Sequence, residues 1–135
     1  MTLRGKVLVV DDEAHIRKFV IQLVKPLGEP VILQAANGEE ALKIYELERP
    51  VLVLLDVNMP RIDGIETLRR LKLLDPNCVV IMLTSLVNRH TVEACLHLGA
   101  VAYMRKDNPP DDMTSRIKKI VDGYLGEKPA QPEAR

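Results

Sequence analysis

Short apolar runs alternate along the whole chain with segments in which apolar positions recur every third or fourth residue. "KVLVV" (Lys6 to Val10), "VILQAA" (Val31 to Ala36), "VLVLL" (Val51 to Leu55), "VVIMLT" (Val79 to Thr84) and "AVAYM" (Ala100 to Met104) read as strands. Their apolar residues are contiguous, the pattern of a strand covered on both faces; a half-exposed strand alternates apolar with polar. Helical periods fill the intervals. Ile16, Phe19, Val20, Leu23, Val24 and Leu27 form the first apolar stripe, with Gly28 placed to end it. Asn37 is placed to cap a second helix that closes before Pro50. Ile65, Leu68 and Leu71 mark a third, "NRHTVEACLHLG" a fourth, and Met113, Ile117, Ile120, Val121, Tyr124 and Leu125 a fifth.

Five βα units in succession predict an α/β domain, a doubly wound five-stranded parallel sheet with helices on two faces and right-handed crossovers. The expected domain spans residues 1–125, and the polar, Pro-containing stretch 126–135 reads as a flexible tail. In such sheets, chemistry gathers beyond the carboxyl ends of the strands.

Composition narrows the class. The chain has 135 residues, 47% hydrophobic and 28% charged, in the range of a single soluble domain. Nineteen basic residues balance nineteen acidic ones, so the overall charge carries no basic footprint for direct nucleic-acid binding. No apolar run reaches the roughly 18 residues of a membrane span, and "MTLRGK" has no signal-peptide core, so a cytoplasmic location is expected. Cys78 and Cys95 sit in apolar contexts and read as buried thiols. His15, His90 and His97 lack metal-ligand spacing and read as surface residues.

The strand ends carry the reactive side chains. Strand one runs into Asp11 and Asp12, strand three into Asp56, strand four ends in Thr84, and Lys106 follows strand five. Singly, each has a plain structural reading: Asp11, Asp12 and Glu13 as helix caps, Thr84 as a strand residue, Lys106 as a solvated cation. Together, three carboxylates repel one another unless a cation sits among them. An all-oxygen donor set with open positions suits Mg²⁺, with Mn²⁺ as a second candidate. Mg²⁺ implies a phosphoryl group nearby, for which Lys106 and the Thr84 hydroxyl are suitable partners and Asp56 the natural nucleophile.

These residues, in "VLVVDDE", "LLDVNMPRIDGIE", "MLTS" and "AYMRK", resemble the receiver domain of two-component response regulators, the single-domain chemotaxis regulator being the simplest form. The resemblance covers residues 4–125. It implies a flavodoxin-like strand order 2-1-3-4-5. It also implies that Asp12 is the main side-chain metal ligand and that Asp11 acts largely through water. Asp56 would be both ligand and phosphoacceptor, and Asn58 would contribute its backbone carbonyl to the metal. Thr84 and Tyr103 would form the switch pair, and Lys106 the phosphate clamp.

The implied donor is a phosphohistidine on a sensor histidine kinase or phosphotransfer protein, and the implied output a changed helix 4, strand 5 and helix 5 surface read by a protein target. The expected state is a monomer or a phosphorylation-dependent dimer. A phosphoacceptor of this kind assists its own phosphorylation and dephosphorylation without turning over small substrates. The alternative is a receiver cut from a longer regulator with a separate output domain.

The sequence departs from the family pattern after Lys106, where Asp107 stands in place of the usual Pro. A cis bond to a non-proline costs about 3 to 4 kcal/mol, so a trans Lys106–Asp107 bond is expected, with Asp107 competing for the Lys106 ammonium. Leu86, two residues beyond Thr84, offers no hydrogen bond to an attacking water, which predicts slow self-dephosphorylation. Pro60 and Gly64 read as loop-shaping, and Arg69, Arg70 and Lys72 as a solvated helix face. Rival readings are weaker. A haloacid-dehalogenase-type phosphatase needs a second acid where Asn58 stands, a nucleotide-binding module needs a Gly-rich phosphate loop, and a degenerate receiver would lack one of the site residues.

Overall fold

The computed structural model describes residues 3–85 and 88–125; Leu86 and the tail from residue 126 lie outside them. Strands β1 (Lys6–Val10), β2 (Val31–Ala35), β3 (Leu52–Asp56), β4 (Val80–Thr84) and β5 (Ala102–Arg105) form one parallel sheet in the order β2-β1-β3-β4-β5. Helices α1 (Ala14–Val24), α2 (Gly38–Glu48), α3 (Gly64–Leu74), α4 (Arg89–His97) and α5 (Pro110–Tyr124) cover it. No helix among the described residues is long and apolar enough to cross a membrane.

The strand alternation sorts the core into two layers. Val53, Leu55, Val80 and Met82 pack with Ala41 and Tyr45 of α2, Leu68 and Leu71 of α3 and Cys95 of α4. Leu52, Leu54, Ile81, Leu83 and Met104 pack with Val20, Leu23 and Val24 of α1 and Met113, Ile117 and Val121 of α5. The central strands β3 and β4 are buried throughout, which accounts for their unbroken apolar runs.

Local chemistry sets the helix ends. Asn37 caps α2 by accepting from the Glu40 N–H at 2.9 Å, and Glu40 reaches back to the Ala36 N–H at 2.8 Å. Asp63 caps α3 through the Glu66 N–H, and Pro110 opens α5 with Asp111 and Asp112 complementing its positive end.

Several expected boundaries shift by a residue or two, and at two of them the cause is plain. Gly28 does not end α1: the α-helix stops at Val24 and a 3-10 turn over Lys25–Leu27 intervenes, because Pro26 has no N–H to continue the α ladder. Strand five begins at Ala102 and extends to Arg105, later than Ala100 to Met104, since Ala100 still donates to the Cys95 carbonyl at the end of α4.

Candidate functional site

The register of the sheet brings the sequence-predicted residues to one mouth. Val10 lies level with Leu55, so Asp11, one residue on, stands beside Asp56. Asp56 lies level with Leu83 and Thr84 with Arg105, so Thr84 and Lys106 each follow one step further along the same edge. Asp11, Asp56 and Thr84 are all at most 4% exposed. Asp12 is exposed at the rim.

One carboxylate oxygen from each of Asp11, Asp12 and Asp56 lies within 4.8 Å of the other two. Lys106 Nζ donates to Asp11 Oδ2 at 2.6 Å and to Asp56 Oδ1 at 2.9 Å. Burial disfavours the Lys106 ammonium, but the hydrogen bonds and charges of Asp11 and Asp56 outweigh it and its pKa is raised. Asp56 is also shifted upward. Burial dominates, opposed by Lys106 and by the Asn58 backbone N–H and reinforced by the charge of Asp11. One ammonium therefore does not fully compensate the carboxylates, and hard oxygen donors short of positive charge suit a small divalent cation. The residues present fit Mg²⁺.

Gly64 holds the end of β3 from behind. A Cβ there would lie 2.1 Å from the Asp56 carbonyl oxygen and 2.7 Å from Val57 Cα, and the Gly64 N–H donates to the Val57 carbonyl at 2.7 Å. Gly64 thus does more than shape a loop; it allows α3 to start directly against the backbone that carries Asp56. Within the loop, Arg61 adopts a left-handed φ of 67°, at a cost of roughly 1 to 2 kcal/mol for an L-residue. Its guanidinium pairs with Glu39 at 2.8 Å.

The Asp11 carboxylate also accepts the Glu13 N–H at 2.9 Å in a turn ahead of α1, but the N-cap of α1 is Glu13 and makes no side-chain cap bond, so the expectation that Asp11, Asp12 and Glu13 cap the helix is corrected. On the opposite layer of the sheet, Thr84 is hydrogen-bonded with Tyr103, whose ring packs against the α2–α4 core and whose pKa is raised chiefly by burial. The two residues expected to form a switch pair are in contact.

Two expectations about neighbouring charges are corrected. Asp107 pairs with Arg105 instead of Lys106, because the Lys106 ammonium is already held by two better-buried carboxylates. Lys72 is not part of a solvated face. Its ammonium reaches the Cys78 carbonyl at 2.7 Å, whereas Arg69 and Arg70 do face solvent and pair with Glu66. No cis peptide bond occurs among the described residues, consistent with a trans Lys106–Asp107 bond. Cys78 and Cys95 are buried free thiols, and the three histidines are exposed.

Sequence reasoning missed the Asn58 N–H as a donor to Asp56, and Arg61 and Glu39 as a pair over the loop. Neither left a signal: a backbone donor is invisible in sequence, and Arg is not a residue that marks a left-handed position.

The family model described as the response regulator receiver domain matches residues 7–118. Among curated proteins, the chain is 39% identical over 119 residues to the sporulation initiation phosphotransferase F of Bacillus subtilis, covering 88% of this chain and 95% of that one. It is 41% identical to the alkaline phosphatase synthesis transcriptional regulatory protein PhoP of the same organism, covering 88% of this chain and 49% of the relative. The chain thus spans nearly all of the first relative and about half the length of the second.

A solved CheY-like receiver domain protein from Methanospirillum hungatei superposes with a TM-score of 0.82 at 29% identity, covering 91% of this chain and 98% of that one. A chain of the CheX-CheY-BeF3-Mg complex from Borrelia burgdorferi gives 0.81 at 32% identity, covering 86% and 88%.

Proposed function

The chain belongs to the response regulator receiver family, and from that membership we propose that it accepts a phosphoryl group on Asp56 from the phosphohistidine of a sensor kinase or phosphotransfer protein. The observation that carries the proposal is the Asp11, Asp12, Asp56 and Lys106 cluster at the sheet mouth. Asp12, Asp56, the Asn58 carbonyl and, through water, Asp11 would hold Mg²⁺, which supplies charge neutralisation on the phosphoryl oxygens when bound.

The protein's own residues do the rest. Asp56 Oδ attacks phosphorus in line with the departing imidazole nitrogen, which leaves with its electron pair. The Lys106 ammonium sits 2.9 Å from Asp56 Oδ1, near enough to follow the transferred group and hold one of its oxygens. The Thr84 hydroxyl, held by Tyr103 in the resting arrangement, is available to a second oxygen once Asp56 is modified. Drawing Thr84 toward the phosphoryl group changes what Tyr103 packs against and thereby the α4-β5-α5 surface. Shifting such an equilibrium from 1:99 to 99:1 needs about 5.5 kcal/mol of differential stabilisation, within reach of a few charge-assisted bonds. A partner protein would read that surface, or an output domain in a longer regulator, since relatives such as the PhoP regulator are about twice the length of the matched region.

Incubation with acetyl phosphate and Mg²⁺, followed by intact-mass measurement, tests the proposal. One phosphoryl group per chain is expected for the native protein, with none for Asp56→Asn or in the presence of EDTA. Equal labelling of the native protein and Asp56→Asn overturns it.

A further inference from the structure

The loop that follows Asp56 is held from a second helix that touches none of the reacting atoms. Gly38, the first residue of α2, is buried, and a Cβ placed on it would lie 2.2 Å from Thr67 Oγ1, 2.7 Å from Ile62 Cγ1 and 2.8 Å from Ile62 Cδ1. Ile62 lies in the β3–α3 loop and Thr67 in the first turn of α3. The contact has little freedom to yield. Thr67 Oγ1 is fixed by donating to the Asp63 carbonyl at 2.8 Å, and the first turn of α2 is fixed by the reciprocal Asn37 and Glu40 caps.

The next residue of α2, Glu39, pairs with Arg61, the one non-glycine of that loop in a left-handed conformation. The first turn of α2 therefore meets the loop at Arg61 and Ile62 and meets α3 at Thr67. The loop is bounded on its other side by Gly64, whose missing side chain sets α3 against the Asp56 carbonyl. Asp56, at the Gly64 contact, and Arg61, at the α2 contact, thus bound the segment that carries Asn58.

We infer that Gly38 is a positioning residue for phosphoryl acceptance. By having no side chain it lets α2 close on Ile62 and Thr67 and so fixes where Asp56 and the Asn58 backbone stand. This rests on the reading of Asp56 as phosphoacceptor. Displacement of α3 and the loop by a fraction of an ångström is transmitted to the groups that must meet the phosphoryl oxygens, where small misplacements cost large factors in rate.

The test is a mutant cycle on the full chain, with the rate of labelling by acetyl phosphate and its dependence on Mg²⁺ concentration as readouts, and thermal melts as the folding control. Gly38→Ala is expected to slow labelling by about tenfold or more and to raise the Mg²⁺ concentration for half-maximal rate. In an Ile62→Ala/Thr67→Ala background, which removes the atoms the new Cβ meets, the same substitution is expected to change the rate little. A role confined to α2 predicts otherwise, since Ala forms helix better than Gly whatever stands at 62 and 67.

Equal losses in both backgrounds, or no loss in either, overturn the inference. Should Gly38→Ala not fold, Ile62→Ala decides, because it loosens the contact without adding atoms: slower labelling with a retained cooperative melt supports the inference, and an unchanged rate overturns it. Native protein that takes no label defeats the phosphoacceptor reading, whereas labelled native protein with indifferent variants defeats only this inference.

Discussion

Lys106 carries the electrostatics of the resting site. Its ammonium bridges two carboxylates that burial would otherwise make costly, and only about an eighth of the side chain is exposed, at 13%. Removing one partner from a buried charge cluster costs about 3 kcal/mol or more, because the groups left behind lose both water and counter-charge. Lys106→Met is therefore expected to lower stability by about 3 kcal/mol in urea denaturation with EDTA present. It should also slow labelling by acetyl phosphate. A variant as stable as the native protein would mean that the bridge at 2.6 and 2.9 Å contributes nothing net.

At the scale of elements, α3 is held at both ends by identifiable contacts. At its start, Gly64 leaves no room for a side chain against β3. Gly64→Ala is expected to cost about 1 to 3 kcal/mol through displaced backbone, read as a lower urea midpoint with unchanged slope. At its end, the Tyr45 hydroxyl of α2 donates to Asp75 Oδ2 at 2.7 Å, and Arg49 stands over the Tyr45 ring at 5.6 Å. The Tyr45 hydrogen bond, with a smaller contribution from the Asn77 N–H, holds the Asp75 carboxyl below its usual range.

Tyr45→Phe should then cost about 1 kcal/mol near neutral pH, toward the low end for a charged acceptor because Asp75 keeps some contact with water. A depressed carboxylate contributes its stability above the unfolded pKa and loses it as pH falls through the folded pKa. The Tyr45→Phe penalty should therefore shrink in acid, and a penalty that grows on acidification would contradict the assignment.

How far these elements were legible depended on burial. β3 and β4 announced themselves because strands covered on both faces must be apolar throughout, and Asp56 and Thr84 stood out as the polar residues ending them. Edges were less clear: β5 starts two residues later than its apolar run, since the run also supplies the turn from α4. The left-handed Arg61 and the roles of Gly38 and Lys72 were not legible. Each depends on what another element brings alongside: Glu39 of α2 for Arg61, the Ile62 and Thr67 side chains for Gly38, and the Cys78 carbonyl for Lys72.

The molecule as a whole is two apolar layers holding one charged rim. The layers keep both thiols from solvent, and burial pushes the Cys95 thiol up to about 11. Cys78 and Cys95 should resist iodoacetamide in the folded protein and react when it is unfolded in urea, as followed by mass; rapid alkylation of Cys95 under native conditions would contradict the packing of α4 on the sheet, and of Cys78 the burial of the turn before β4.

A divalent cation held at the rim would link stability to metal. Mg²⁺ at 100 times its Kd should add about 2.7 kcal/mol to the unfolding free energy, and the gain should vanish in Asp12→Asn. Stabilisation of native protein and Asp12→Asn alike would place the ion elsewhere.

Phosphoryl acceptance as proposed forms one bond, between Asp56 Oδ and phosphorus. An acyl phosphate is reduced by borohydride to the corresponding alcohol, which converts a phosphorylated aspartate to homoserine and marks its position permanently. After labelling with acetyl phosphate and Mg²⁺, reduction and proteolysis, peptide sequencing should find homoserine at position 56 and unmodified aspartate at 11 and 12. Homoserine at another position, or a label that survives reduction, would contradict the account.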